Sequence, residues 1–156
     1  MNPTQVVTWY ADWGWSLPLI VLTVVIHVLG LGLFIEKVIP PLSGIVGRGH
    51  PTAAFVVVMG ATVLLATILH GIEGAIWAVA YRLLDALPDL NSAMLYSLGS
   101  MTAYGHANLF LKDRWQLMGA LEALNGIILF GLTTAFLFGT IQRVSPLGGR
   151  GWPRER

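Results

Sequence analysis

The chain contains no cysteine, which excludes disulfides and thiolate metal sites. Charge is also scarce. Only 11% of the 156 residues are Asp, Glu, Lys or Arg, where a soluble domain carries about a quarter. The formal net charge is +1 and no basic patch stands out, so nucleic acid is not an expected partner. No Ser–His–Asp arrangement, phosphate loop or nucleotide motif is present, and no enzyme is expected. The first residues carry neither a basic n-region nor an A-x-A site, so no cleaved signal peptide is expected. No internal repeat is visible. What remains is apolar: 55% of residues are hydrophobic, and the mean hydropathy is +0.70. These values describe one integral membrane domain whose main surroundings are the lipid bilayer.

Three stretches are long enough to cross ~30 Å of hydrocarbon as helices. They fall at residues 17–39, 53–84 and 115–143, and an all-α membrane fold is expected. The second exceeds the minimum length and is expected to tilt or protrude. Residues 1–16 read as an extracytoplasmic segment in which Trp9, Tyr10, Trp13 and Trp15 anchor the interface. A surface-lying helix over residues 4–16 is the alternative. Pro40 and Pro41 end the first span, and residues 40–52 form a cytoplasmic loop. Between the second and third spans, the apolar run from Ala93 to Met101 is too short to cross and reads as re-entrant. Asp89 or Asn91 is its expected N-cap. Residues 144–156 make a basic tail rich in Gly and Pro.

Loop charges give the orientation. The first loop and the tail hold Lys37, Arg48, Arg143, Arg150, Arg154 and Arg156. The opposite side holds Arg82, Lys112 and Arg114, offset by Asp85, Asp89 and Asp113. The N-terminus is therefore expected outside and the C-terminus inside, in a bacterial cytoplasmic membrane.

Ionisable groups at membrane depth are costly and raise a functional question by default. Here they are His27, His70, Glu73 and Glu122, with Asn125 as an uncharged companion. His70 and Glu73 are three residues apart and share a helix face, as do Glu122 and Asn125. Counted from the outer ends at ~1.5 Å per residue, all five fall in one layer roughly 10 Å thick. Three roles are open. The cluster can hold helices together by hydrogen bonds. It can brace the re-entrant segment from behind. It can also hold one or two metal ions, since two His and two carboxylates form a suitable ligand set. Haem ligation by His27 and His70 has no accompanying motif.

The segment Leu95–Tyr96–Ser97–Leu98, Thr102, the pair Tyr104–Gly105, Trp115 and the stretch Asn125 to Ala135 carry a resemblance. The block from Leu95 to Phe138 resembles the pore domain of the two-transmembrane potassium channels. In that family an outer helix leads to a pore helix, a T-V-G-Y-G-D filter and an inner helix with a hinge glycine. The stretch Asn125-Gly126-Ile127-Ile128-Leu129-Phe130-Gly131-Leu132-Thr133-Thr134-Ala135 is similar to the family's inner-helix sequence A-G-I-x-x-F-G-L-x-T-A. The resemblance implies a channel-like domain over residues 53–143, with the outer helix at 53–84, the pore helix and filter at 91–106 and the inner helix at 115–143. It implies a homotetramer, with residues 17–39 as an extra helix packed outside. Thr102, Ala103, Tyr104, Gly105 and His106 would form the pore mouth. Gly126 would be the hinge, and Ile127, Phe130, Thr134 and Phe138 would face the cavity, with Phe138 narrowing its cytoplasmic end.

One departure changes the expectation. Ser97 and Tyr104 are two residues closer than in the family pattern, so Ala103 stands where the family has T-V-G. A potassium filter stacks rings of carbonyl oxygens that replace the ion's water shell. Two missing rings imply weak or altered selectivity among monovalent cations such as K+ and Na+, with no cofactor required. His106 replaces the family's Asp, and a protonated ring there would repel cations. The alternative is a non-conducting structural, regulatory or metal-binding membrane protein that keeps the channel fold.

Overall fold

A computed structural model describes residues 3–46, 51–105 and 108–144. His106 and residues 145–156 lie outside the described residues, as does Arg48. The described chain is all helical: α1 (Pro3–Lys37), α2 (Ile39–Val46), α3 (Pro51–Leu83), α4 (Leu90–Met101), a 3-10 turn (Asp113–Trp115) and α5 (Gln116–Val144). Among these residues, three helices are long and apolar enough to cross a membrane: Trp9–Leu42, Pro51–Leu83 and Asp113–Val144. Large apolar side chains such as Val21, Leu29, Leu64 and Phe138 are exposed along them, the surface a lipid environment covers.

The first helix differs from the expected division at residue 17. It starts at Pro3 and runs without interruption through Pro18. A proline costs a helix one hydrogen bond but leaves the flanking turns intact, and apolar packing holds them. α1 stops at Lys37, before the proline pair. Pro40 and Pro41 instead fall in the first turn of α2, where the missing N–H groups have no helical partner in any case.

The ends of α3 and α4 share one design. Asp85 takes a left-handed conformation (φ 51), and Asp85 and Ala86 donate back to Arg82 and Tyr81. Ala103 does the same at the end of α4 (φ 54), with Ala103 and Tyr104 donating to Ser100 and Gly99. Both are Schellman closures, in which the last free carbonyls of a helix are satisfied by the turn that leaves it. Between them, Asp89 caps the start of α4. Its carboxylate accepts from the Ser92 N–H at 2.9 Å and the Ser92 hydroxyl at 2.7 Å.

α4 reaches only part of the way along its neighbours. Its N-terminal end is tied to the end of α3 and the start of α5: Arg82 donates to the Leu87 carbonyl, the Lys112 N–H to that of Ala86, and Lys112 pairs with Asp85. Its C-terminal end lies against Gly126, eleven positions along from Trp115. Twelve helical residues cover about 18 Å and eleven cover about 16 Å, so the two paths agree. The chain then returns to the same end before the 3-10 turn. The apolar core sits at that end, with Trp77, Tyr81, Leu87, Ala93, Trp115 and Met118 buried around it.

Candidate functional site

α4 is held between α3 and α5 by its small and hydroxyl-bearing side chains. Ser100 donates to the Gly119 carbonyl at 2.8 Å. Ser97 lies 2.8 Å from the Gly74 carbonyl and also contacts Glu122. Tyr81 donates its hydroxyl to the other Glu122 oxygen at 2.6 Å. Glu122 is fully buried, and Ser100 is a further hydrogen-bonding neighbour of its carboxyl. The three contacts made by Ser97 and Tyr81 need three hydrogens, and a protonated Glu122 together with Ser97 and Tyr81 supplies three. Glu122 thus braces α4 from behind through Ser97, and Tyr81 ties α3 into the same joint.

Gly126 has a packing reason to lack a side chain. A β-carbon there would meet the Met101 carbonyl oxygen at 2.1 Å and the Met101 α-carbon at 2.6 Å. Backbone contacts of this kind admit only glycine.

The turn after α4 is compact. The N–H groups of Ala103, Tyr104 and Gly105 all fold back on the carbonyls of Ser100 and Gly99. Thr102 caps the helix and donates its hydroxyl to Leu98 at 2.7 Å. Tyr104 projects outward, 87% exposed. Beside the turn, a groove of about 310 Å³ opens between Tyr96, Ser100, Ala103, Phe110 and Ala123. This backbone is a helix cap, not an extended run with its carbonyls stacked in one direction.

Ile127, Phe130, Thr134 and Phe138 are all exposed and follow one face of α5. Thr134 donates to the Phe130 carbonyl, one turn back.

The five intramembrane polar residues divide into three groups. Glu122 belongs to the α4 brace. Asn125 donates to the Thr23 hydroxyl at 2.9 Å, which links α5 to α1, and its own side-chain oxygen has no partner. His27, His70 and Glu73 come together from α1 and α3. His27 Nδ1 and His70 Nδ1 lie 2.8 and 3.1 Å from the two Glu73 oxygens. The imidazoles stack, with centroids 5.1 Å apart and planes at 22°. A ring nitrogen from each and a Glu73 oxygen fall within 4.8 Å of one another. Thr133 of α5 completes the group, 2.9 Å from His27 Nε2 and 3.4 Å from His70 Nε2. His27 and Glu73 are fully buried, whereas the His70 side chain is 15% exposed and its ring lies 4.5 Å from that of Phe130.

Several contributors are absent from the residues singled out by sequence. Thr133 stands among ordinary helix threonines, and Tyr81 carries no signal that sets it apart in the sequence. Asp12 and Ser16 were placed in a separate N-terminal segment, yet both are buried on α1. A signal did exist. Asp12, Ser16, Thr23 and His27 are spaced by four, seven and four residues, which puts them on one helix stripe. Comparison with models of known protein families, with characterised proteins and with solved structures returned no match.

Proposed function

We propose that the chain is a channel-like membrane protein that passes small monovalent cations, K+ or Na+, through a pore closed by several copies. The observation that carries this reading is the half-depth helix α4, seated on Gly126, from which the chain returns to the end where it entered. Irregular backbone at membrane depth is tolerated where protein buries it or water wets it. Here the turn at 102–105 is exposed, so water is the fitting neighbour. The carbonyl end of α4 carries partial negative charge, which favours a cation. One copy presents a single α5 face with Ile127, Phe130, Thr134 and Phe138, and a single face encloses nothing. Fourfold closure with the 102–106 turns at the mouth is the arrangement that the channel resemblance implies.

The compact turn argues for weak selectivity. The carbonyls of Gly99 and Ser100 accept internal hydrogen bonds. The short cap at 102–105 presents fewer carbonyl rings than the family's filter, so it replaces an ion's hydration shell only in part and ions would pass with water attached. Charge counting places the mouth outside and the C-terminus in the cytoplasm. The same turn favours a second reading, in which the fold is kept and conduction is lost.

The test is flux from liposomes holding the purified protein, with K+, Na+ and choline compared at pH 7.5. Flux of both small cations with choline retained supports the pore. Strong preference for K+ over Na+ overturns the weak-selectivity claim. No flux of any ion assigns the chain to the non-conducting reading.

A further inference from the structure

Thr23, Thr62, Thr67, Thr134 and Thr140 each donate to a carbonyl one turn back along their own helix. Thr133 instead turns its hydroxyl to two imidazoles from α1 and α3. The result is a closed ring of four contacts: Glu73 to His27 at 2.8 Å, His27 to Thr133 at 2.9 Å, Thr133 to His70 at 3.4 Å and His70 to Glu73 at 3.1 Å.

Each contact needs one hydrogen. Two neutral imidazoles and one hydroxyl supply three, and an ionised carboxylate supplies none. The fourth is an additional proton. With it the ring is neutral, since the charge of Glu73 is balanced inside the ring. Neutrality matters because an unbalanced charge in apolar surroundings is costly. The proton has no fixed owner. Moving each hydrogen across its own contact carries the extra proton between His27, His70 and Glu73 while all four contacts persist. Thr133 accepts from one imidazole as it donates to the other.

Among the described residues, no other ionisable group faces this ring. On α1 the next ones are Asp12 and Glu36, on α3 Tyr81 and Arg82, and on α5 Glu122 and Arg143. α2 has none, and α4 has only Tyr96. The ring opens on one side, through His70 beside Phe130. Phe130 belongs to the α5 face assigned above to the pore.

We infer that His27, His70, Glu73 and Thr133 form a proton-exchange station that opens through His70 onto the α5 face, so that the chain moves protons. Release of a proton at His70 leaves three hydrogens and a net charge of −1 in the ring. Uptake at His70 restores the fourth. The route beyond His70 rests on the pore reading, whereas the proton held in the ring does not.

The test uses liposomes with a trapped pH dye and a K+ diffusion potential set by valinomycin, with K+ and Na+ flux measured separately without it. Wild-type protein is expected to carry protons at least tenfold faster than protein-free liposomes. Glu73→Gln keeps every contact, because a side-chain amide can donate to one imidazole and accept from the other. It fills the ring with hydrogens that cannot be handed on. Proton flux should fall at least tenfold while metal-cation flux and elution volume stay unchanged. Thr133→Val breaks the ring at the hydroxyl and should give the same loss. Absent proton flux in the wild type overturns the inference. Unchanged proton flux in a folded Glu73→Gln or Thr133→Val protein also overturns it. So does one equivalent of bound metal per chain, since a metal would displace the ring's hydrogens. Glu73-dependent proton flux without metal-cation flux would sink the pore reading and leave the station standing. Metal-cation flux with proton flux indifferent to Glu73 would do the reverse.

Discussion

Replacing Gly126 by alanine puts one methyl group where the end of α4 already is. The new carbon would sit 2.1 Å from the Met101 carbonyl oxygen and 2.7 Å from the Met101 carbonyl carbon. Non-bonded contacts settle at about 3.5 Å, so α4 and α5 must separate by roughly 1 Å. Neither obstacle is a side-chain tip that can swing away. Forced overpacking of this kind costs about 1–3 kcal/mol. A 1 Å displacement also breaks the Ser100 contact with the Gly119 carbonyl, now 2.8 Å, for about 1 kcal/mol more. The total is about 2–4 kcal/mol, or roughly 4–16 °C in unfolding midpoint at 2–4 °C per kcal/mol. The assay is thermal unfolding in detergent followed by circular dichroism, with two controls. Gly131→Ala meets nothing within 4 Å and should be neutral or slightly stabilising. Gly119→Ala meets chiefly the Tyr96 hydroxyl, a side-chain tip, and should fall between the two. If Gly126→Ala unfolds with Gly131→Ala, close packing is not the reason for this glycine. A pure hinge would behave that way, leaving stability intact and changing only flux.

Four further outcomes are expected. Glu122→Gln keeps partners for Tyr81 and Ser97 and should unfold within about 1 kcal/mol of wild type. Glu122→Ala strands the Tyr81 hydroxyl beside a cavity and should cost about 2–4 kcal/mol, and equal stability of the two variants would remove the brace. Ala103→Gly relieves a left-handed residue (φ 54) and should stabilise by about 1 kcal/mol in the same unfolding assay, with destabilisation the contrary result. Outside the membrane, the hydrogen bond from Lys112 holds the Asp85 carboxyl below its ordinary 3.8, and the Ser92 N–H does the same for Asp89. Because the folded values lie below the unfolded ones, this contribution is full above pH 3.8 and is lost as pH falls through them. A denaturant series from pH 7 to 2.5 should show that acid-side fall, and the double variant Asp85→Asn, Asp89→Asn should flatten it. Phe138→Ala should widen the inner end of the proposed pore and raise cation flux in liposomes, and an unchanged rate would move Phe138 off the ion path.

Composition alone determined that this chain is a helical membrane domain, because hydropathy integrates over twenty residues and tolerates local error. Three spans, a shorter helix between the last two and an Asp89 cap follow from length, apolar runs and side-chain chemistry. Boundaries were less legible near proline, where only the Pro40–Pro41 pair reads as a stop. Pro18 lies inside α1 and the Pro40–Pro41 pair opens α2, since neighbouring turns and packing outweigh one lost hydrogen bond. The depth of His27, His70, Glu73, Glu122 and Asn125 was readable by counting residues, because rise per residue is constant. Their pairing was not. Every face of these helices is apolar, so periodicity does not say which side of α5 meets α1 and which meets α3. Only the packed bundle brings Thr133 between two imidazoles, sends Glu122 to Ser97 instead of Glu73, and lays Met101 on Gly126. Those contacts join residues 25 to 106 positions apart, and contact at such separations is a property of how helices pack and not of any one helix.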